Sequence, residues 1–456
     1  SDGTEAGTRR VSDVSLRLSF LFGTVLGGRL LFAGEGGAEG TELWSTDGTD
    51  AGTSLVRDIH DADLGGSDPT SLRAFGDRAL FLADDGVHGF ELWKSDGTEA
   101  GTALVAELVP GPAPEVQPVL GASDVAGGKL FFTTNQQVWR TDGTEAGTLL
   151  LTGPHVSICC SRQIRAAGGN VFFPAYEGEY RLWVSDGTVE GTRPVGDTGG
   201  GAIQDLVEFQ GKLYFTLEAG NVWELWRSDG TGAGTVRVEE LGLLPSSGVY
   251  DGTPHLTVHA GSLWYFGSDG EGGVELRHGN GSAPGTGLAF GIKPSSVAWL
   301  GAKLLVSGTD DASFGLWATD GTPAGTQLLG PASNFGSPAA ELQGRLYYAV
   351  YDSSASRTLL WTTDGTPGGT GPLRDHEGSE ISAAYDFARL GNLLLFNVDG
   401  KLWQTDGTAA GTFPIRELGA RSSGELVAIG SRVLFPSYDR DTGLELWALE
   451  GEQSEP

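Results

Sequence analysis

Several features common in chains of this length are absent from the sequence, and each absence excludes a class of protein. The 456 residues include no methionine and only two cysteines. No apolar run approaches the ~20 residues of a membrane-spanning helix, and no stretch keeps a helical period of apolar residues. We therefore expect an all-β chain without a membrane span. The missing methionine, at position 1 as elsewhere, predicts that the sequence begins after a removed leader segment or at an artificial boundary.

The two cysteines, Cys159 and Cys160, are adjacent. A vicinal disulfide is sterically demanding, so a bridge and a pair of free thiols in a loop remain as alternatives. Neither alternative supports a zinc site, which needs about four ligands.

Positive charge is also scarce. The chain has 29 Lys and Arg against 59 Asp and Glu, which gives a formal net charge of -30. Such an acidic surface repels nucleic-acid phosphates and anionic lipids, so we expect no nucleic-acid partner and favour cations or basic partners. Hydrophobic residues make up 39% of the chain, enough for a substantial core, and 74 glycines demand frequent turns.

A repeated phrase dominates what is present. "DGTxxGT" occurs ten times when "NGSAPGT" at 280–286 is included, and a strand-like segment ending in Trp recurs at a spacing of 40 to 51 residues. A period in the mid-forties with four short strands per unit is typical of a propeller blade. The Trp positions, with Arg277 in a degenerate slot, are Trp44, Trp93, Trp139, Trp183, Trp226, Arg277, Trp317, Trp361, Trp403 and Trp447.

The unit at 202–241 shows the expected strands most clearly. "AIQDLVEFQ" predicts strand A, "KLYFTLE" strand B, "ELWRSDG" strand C and "GTVRVEEL" strand D. Adjacent bulky residues such as "LW" and "LYF" place apolar groups on both faces, because side chains alternate along a strand. The pattern therefore predicts blades packed face to face.

The phrase and the Trp slot are offset by one unit. The first phrase, at 1–8, has no Trp slot before it, and the last slot, at 446–447, has no phrase after it. This offset predicts that the N-terminal segment supplies the fourth strand of the last blade, which removes free sheet edges. We predict one closed ten-bladed β-propeller. Two five-bladed rings, or nine blades if 251–292 forms loops, are the alternatives.

The predicted boundaries treat 1–456 as one propeller. Residues 1–14 form the outer strand of the last blade and 450–456 a tail. Blades one to nine occupy 15–59, 70–108, 118–152, 162–197, 202–241, 255–291, 295–330, 338–374 and 382–418, and the inner three strands of blade ten occupy 424–449.

The phrases "ELWSTDGTDAGT" at 42–53 and "ELWKSDGTEAGT" at 91–102 resemble the ELWxxDGTxxGT repeats of bacterial secreted and cell-surface proteins. The resemblance covers essentially the whole chain. It implies a β-propeller-like, bacterial, extracytoplasmic protein and brings no catalytic residues. The sixth copy departs from the pattern, with Arg277 in the Trp slot and Asn280 in the Asp slot, which puts the packing of that blade in question.

Asp-Gly-Thr suits a tight turn between strands C and D, with glycine at positive φ and the Asp carboxylate accepting nearby backbone N–H groups. The phrase also resembles the structural Asp-box of other propellers. We therefore interpret the ten copies as turns rather than as ligand sites.

Calcium is considered separately, and no other cofactor is expected. "YDRDTGLE" at 438–445 offers Asp439, Asp441 and Glu445 as candidate metal ligands, whereas "HDADLGGSD" at 60–68 offers Asp61, Asp63 and Asp68. Calcium takes six to eight oxygens at more regular spacings, so solvated acidic loops are the competing interpretation at both places.

Catalytic patterns give little. His255 and His259 lie about 13 Å apart if "HLTVH" is a strand, too far to share a metal. The remaining histidines are scattered, and the sequence has no G-x-S-x-G, P-loop or H-E-x-x-H motif. No catalytic residue is assigned. Paired carboxylates for glycoside hydrolysis stay open, because 59 acids offer many pairs.

Loop variation favours one end of the blades. The A–B and C–D turns are short and uniform, whereas the D–A and B–C connections vary in length and composition. Because loops carry function on a rigid scaffold, the D–A/B–C face is the predicted binding face. The alternative is that these loops differ through sequence drift without a function.

We expect a monomeric, extracytoplasmic binding scaffold for a protein or glycan partner. A polysaccharide-acting enzyme with a site at the channel mouth and a purely structural surface protein are the alternatives.

Overall fold

The structure is a computed structural model. It describes residues 8–15, 23–36, 39–60, 65–109, 119–158, 163–244, 252–271, 273–288, 293–310, 314–320, 322, 324–332, 339–352, 356–382, 384–418, 426–439 and 443–450. Within these ranges it contains forty strands and one short 3-10 helix, Pro367–Gly369. None of the described residues belongs to a helix long and apolar enough to cross a bilayer.

The strands form ten four-stranded antiparallel blades, which is the architecture of a ten-bladed β-propeller and confirms the predicted fold class. The strands of each blade are named A to D in the order in which they pair. The chain divides into two compact units, Val119–Asn334 and the combination of Ser1–Pro118 with Phe335–Pro456. Each unit contains five blades.

Blades three to seven form the unit Val119–Asn334, and each consists of four consecutive strands. Their bounds are β10 Ser123–Ala126, β11 Lys129–Thr134, β12 Gln137–Thr141 and β13 Leu149–Leu150; β14 Arg165–Ala167, β15 Asn170–Tyr176, β16 Tyr180–Ser185 and β17 Arg193–Pro194; β18 Ala202–Phe209, β19 Lys212–Ala219, β20 Val222–Ser228 and β21 Val236–Gly242; β22 Thr257–His259, β23 Ser262–Ser268, β24 Val274–Gly279 and β25 Thr286–Gly287; and β26 Lys293–Leu300, β27 Lys303–Thr309, β28 Phe314–Thr319 and β29 Gln327–Gly330.

Blades one, two, eight, nine and ten form the other unit. Their strands are β2 Thr24–Leu26, β3 Arg29–Glu35, β4 Thr41–Thr46 and β5 Ser54–Arg57; β6 Thr70–Phe75, β7 Arg78–Asp84, β8 Phe90–Ser95 and β9 Ala103–Ala106; β30 Ala340–Leu342, β31 Arg345–Asp352, β32 Arg357–Thr363 and β33 Gly371–Pro372; β34 Tyr385–Leu390, β35 Leu393–Val398, β36 Lys401–Thr405 and β37 Phe413–Glu417; and β38 Val427–Ile429, β39 Arg432–Asp439, β40 Gly443–Glu450 and β1 Thr8–Ser15.

The B strands are buried on both faces, as the adjacent bulky residues predict. In β7, all five residues between Arg78 and Asp84 are buried. Apolar clusters then join consecutive blades inside each unit. Phe131 of blade three shares a cluster with Phe173 of blade four, and Leu31 of blade one shares one with Phe81 of blade two. Each such side chain contributes on the order of 1.5–3 kcal/mol when fully buried.

The predicted strand exchange closes blade ten. β1 pairs antiparallel with β40, with Thr8 opposite Leu449 and Arg10 opposite Trp447. Val11 is fully buried in a cluster with Phe32 and Leu434. The Arg10 guanidinium donates to Glu445 Oε1 at 2.8 Å. The predicted closure of the last blade by an N-terminal strand is therefore confirmed, with β1 spanning Thr8–Ser15.

The nine-blade alternative is wrong. The segment 251–292, which this alternative treats as loops, contains the complete sheet β22–β25. In the described chain, every blade other than the tenth is built from four consecutive strands.

The sixth blade is stabilised by an ion pair where other blades have an aromatic contact. An arginine of strand D stacks on the Trp of the next blade's strand C in two places: the Arg57 guanidinium lies 5.9 Å from the Trp93 ring and that of Arg416 lies 3.6 Å from Trp447. In blade six the Trp position is Arg277. It pairs with Glu239 of strand D in blade five. The residue in the Trp slot thus has a partner in the preceding blade, so this blade is packed rather than defective.

Candidate functional site

The C–D turns form closed hydrogen-bond networks. In blade one, Asp47 Oδ1 accepts the backbone N–H of Thr49 at 2.9 Å and its hydroxyl at 2.7 Å. The Thr49 hydroxyl oxygen accepts the N–H of Gly52 at 2.9 Å, and the hydroxyls of Thr46 and Thr53 lie 2.6 Å apart. The prediction that the Asp accepts nearby backbone N–H groups is confirmed. The same Asp–Thr contacts recur at Asp96, Asp142, Asp186, Asp229, Asp320, Asp364 and Asp406.

Two glycines of the phrase are required by close contacts. A Cβ at Gly52 would lie 2.0 Å from Asp47 Oδ1, so the carboxylate occupies the space that a side chain would take. Gly48 has φ +85, and a Cβ there would lie 2.8 Å from Arg432 of the preceding blade. The phrase therefore closes its own turn and also packs against the neighbouring blade.

Hydrogen bonds to the turn hold its carboxylates in the charged form. The Thr49 hydroxyl lowers the pKa of Asp47 below its ordinary value. The corresponding hydroxyl lowers the pKa of five other turn carboxyls, those of Asp96, Asp142, Asp186, Asp229 and Asp320. This end of the blades is uniform, and its Asp side chains serve the turn itself.

At the opposite end, buried glutamates of strand C organise the D–A connections. Glu42 accepts the backbone N–H groups of Ile59 at 3.0 Å and Ser67 at 2.8 Å, and the Ser67 hydroxyl at 2.6 Å. Glu91 accepts the N–H groups of Leu108 and Val109. Each carboxylate thus anchors described residues of the variable loop that follows its own blade.

Burial raises the pKa of both carboxyls. The pKa of Glu42 lies above its ordinary value, and that of Glu91 is raised to about 7. Beside Glu91, the imidazole of His88 lies 2.7 Å from Asp85 and 3.7 Å from Glu107. The hydrogen bond and charge of Asp85 raise the pKa of His88. Blade two therefore carries a group of titratable residues at its variable end.

The same end exposes tyrosines. Tyr176 and Tyr180 face each other across the B–C hairpin of blade four with ring centroids 5.1 Å apart, and Tyr176 is 41% exposed. Tyr351, in the B–C hairpin of blade eight, is 58% exposed, and Tyr385, which begins strand A of blade nine, is 38% exposed. The D–A connection of blade three is tied to this hairpin, because Ser157 and Tyr176 exchange backbone hydrogen bonds.

One candidate calcium ligand, Glu445, takes part in an ion pair instead. Glu445 lies buried in β40 and accepts from Arg10. Asp441 lies outside the described residues, and the side chain of Asp439 is not described. Asp61 and Asp63 lie outside the described residues, as do Cys159 and Cys160. Across the described ranges, no group of three or more His, Cys, Asp or Glu is arranged to hold a metal ion.

The histidines of "HLTVH" make aromatic contacts. The His259 ring stacks on Trp299 of blade seven with centroids 3.5 Å apart, and the His255 ring contacts the edge of Phe266. His278 stacks on Trp264 at 4.8 Å.

The loop-anchoring role of Glu42 and Glu91 and the exposed tyrosines were not predicted from the sequence. A signal was present, because a charged residue recurs two positions before Trp in otherwise apolar strands, at Glu42, Glu91, Glu224 and Glu445.

No family model matches this chain, and no curated protein matches it. Solved structures do resemble it. The computationally designed Ika8 protein is 14% identical, with a TM-score of 0.38 over 96% of this chain and 99% of that one. Dipeptidyl peptidase 4 of Porphyromonas gingivalis is 8% identical, with a TM-score of 0.47 over 94% of this chain and 65% of that one. Puromycin hydrolase is 14% identical, with a TM-score of 0.37 over 74% of this chain and 59% of that one. The chain thus spans less than two thirds of either enzyme, and these likenesses carry no conclusion about activity.

Proposed function

We propose that the chain is a non-enzymatic, extracytoplasmic scaffold that binds a protein or glycan partner through its D–A/B–C face. The observation that carries the proposal is the contact between exposed Tyr176 and half-buried Tyr180 at this end of blade four. Exposed tyrosine rings offer large contact areas at a small cost in conformational entropy, and they are enriched where proteins bind ligands. The extracytoplasmic location rests on the resemblance to secreted repeat proteins.

Hydrogen bonds that anchor described loop residues support the proposal. Glu42 and Glu91 tie the D–A connections to buried strands, and the Ser157–Tyr176 backbone bonds tie another connection to the neighbouring hairpin. A surface held in this way loses little conformational freedom on binding. The net charge of -30 favours a partner that presents cationic groups over one that presents phosphates.

The glycosidase alternative has less support. An acid catalyst needs a raised pKa and access to the substrate. Among the described carboxyl groups, those with a raised pKa are Glu42 and Glu91. They belong to different blades, both are buried, and each accepts the amides of its own loop. Their raised pKa follows from burial, and the loop amides that they accept act against it.

The test measures binding of the purified chain to an oligosaccharide array and to a panel of lysine-rich peptides. The double variant Tyr176→Ala, Tyr180→Ala is compared with Val189→Ala, an exposed side chain at the C–D turn of the same blade. We expect the double variant to lose about tenfold in affinity, equivalent to about 1.4 kcal/mol, while Val189→Ala binds normally. Binding that survives the tyrosine substitutions but fails in Val189→Ala would place the site at the opposite end.

A further inference from the structure

The sixth C–D turn contains a chemically distinct dipeptide. Asn280–Gly281 is the one Asn-Gly pair in the sequence and stands where the other copies have Asp-Gly. The Asn280 side chain is exposed. Its Oδ1 accepts the N–H of Ser282 at 3.0 Å and the Ser282 hydroxyl at 2.7 Å. Two donors on this oxygen polarise the amide carbonyl and make Cγ a better electrophile.

The neighbouring backbone nitrogen is held differently from its counterparts. In the other copies the residue before Asp is Ser or Thr, and in the seven of them whose glycine the structure describes, its hydroxyl accepts the N–H of that glycine. In blade one, Gly48 N donates to Thr46 Oγ1 at 2.9 Å. Six further turns keep this bond at 2.9 to 3.1 Å, through Ser95, Thr141, Ser185, Ser228, Thr363 and Thr405. In the sixth copy the position is Gly279, which has no hydroxyl.

Glycine at position 281 is also fixed by its surroundings. Gly281 has φ +70, and a Cβ there would lie 2.4 Å from the ring of Tyr214 in the preceding blade. Although Gly281 is buried, any side chain at this position is excluded, so no side chain of its own stands beside the backbone nitrogen. The glycine, the missing hydroxyl and the polarised carbonyl occur together in this turn of the described chain.

We propose that Asn280 is a site of spontaneous deamidation. The Gly281 nitrogen attacks Asn280 Cγ and loses its proton, a C–N bond forms, and the side-chain nitrogen leaves as ammonia. Water then opens the cyclic imide at one of its two carbonyls. The products are aspartate, which restores the Asp-Gly phrase, and isoaspartate, which adds one methylene to the backbone of the turn. No oxidant or enzyme is needed, because water is the only co-reactant.

The Ser/Thr hydroxyl that precedes the other Asp-Gly pairs thus slows attack by the glycine nitrogen and also stabilises the turn. A glycine N–H that donates to this oxygen must lose the bond, worth about 0.5–1.5 kcal/mol, before its nitrogen can attack. The inference does not depend on the proposed binding function, since the turn lies at the opposite end of the blades.

The experiment ages the full folded chain in mildly alkaline buffer and follows each asparagine by peptide mass spectrometry. Conversion adds about 1 Da, since oxygen and hydrogen replace the amide NH₂. Gly279→Ser restores the hydroxyl, and Gly279→Ala is the matched control that adds the same Cβ without it. Gly279 has an ordinary φ, and its added Cβ would lie 3.2 Å from Gly285 Cα, so both variants meet the same neighbour. Thermal melts confirm that both fold.

We expect Asn280 to convert faster than the other six asparagines, Gly279→Ala to follow the parent, and Gly279→Ser to slow conversion about threefold to tenfold, the factor that a 0.5–1.5 kcal/mol hydrogen bond provides. Equal rates in Gly279→Ser and Gly279→Ala would overturn the protecting role of the hydroxyl. An intact Asn280 in the aged folded chain, beside conversion in the denatured chain, would overturn the site itself.

Discussion

The buried carboxyl of Glu91 makes the stability of this chain depend on pH in a definite direction. Its pKa is raised from 4.5 to about 7 by burial. The folded state therefore favours the protonated form, so the stabilisation is complete below pH 4.5 and is lost as the pH rises through 7. A shift of this size corresponds to about 3 kcal/mol if it is realised in full.

Glu91→Gln isolates this contribution. The glutamine keeps a carbonyl oxygen for the Leu108 and Val109 amides but cannot ionise. We expect the free energy of unfolding of the parent to fall by about 2–3 kcal/mol between pH 5 and pH 8. In Glu91→Gln we expect most of this fall to be absent. Urea denaturation at both values of pH measures the difference.

His88 acts in the same direction, so it needs its own control. Its raised pKa means that its stabilisation is present below 6.5 and is lost as the pH rises through the folded value. His88→Asn leaves Glu91 in place, and we expect this variant to keep most of the slope between pH 5 and pH 7. If the parent and Glu91→Gln show the same slope over this range, the assignment to Glu91 is wrong.

Three further predictions concern packing. Val11→Ala removes a fully buried side chain from the closing strand and should lower the free energy of unfolding by about 2 kcal/mol in urea denaturation. Substitution of the exposed Val25 by Ala should be near neutral, and equal effects would contradict the buried position of β1. Arg277→Trp should destabilise blade six by about 3–5 kcal/mol because it removes the cation that pairs with the buried Glu239, which keeps the Tyr265 hydroxyl and the Gly285 amide. Adding Glu239→Arg should recover part of the loss, and a stabilising single substitution would refute the ion-pair account. Gly52→Ala should cost about 1–3 kcal/mol because its Cβ meets Asp47, while Gly153→Ala, with open space around it, should cost less; the reverse order would exclude the steric explanation.

Local patterns were sufficient to predict the repeated parts of the fold. The paired apolar residues in "LYF" and "ELW" predict strands buried on both faces, and the unit at 202–241 contains β18 to β21 within a few residues of the predicted bounds. The closing strand was predictable because the offset between the phrase and the Trp slot is a property of the sequence order alone.

The parts that sequence analysis missed depend on contacts between segments with no fixed spacing. Glu42 accepts the amide of Ser67, and the connection between them varies from blade to blade, so no motif marks the pair. Likewise, Arg277 reads as a degenerate Trp slot until Glu239 of the preceding blade is known to lie beside it.

The central claim is that the N-terminal strand completes the tenth blade, and hydrogen–deuterium exchange of the native chain tests it most directly. Amides of residues 8–11 should be protected and should exchange together with those of 446–449, because the two strands pair from Thr8 opposite Leu449 to Arg10 opposite Trp447. The outer strand Ser54–Arg57 of blade one serves as the internal reference. Rapid exchange of residues 8–11, beside a protected reference strand, would contradict the closure.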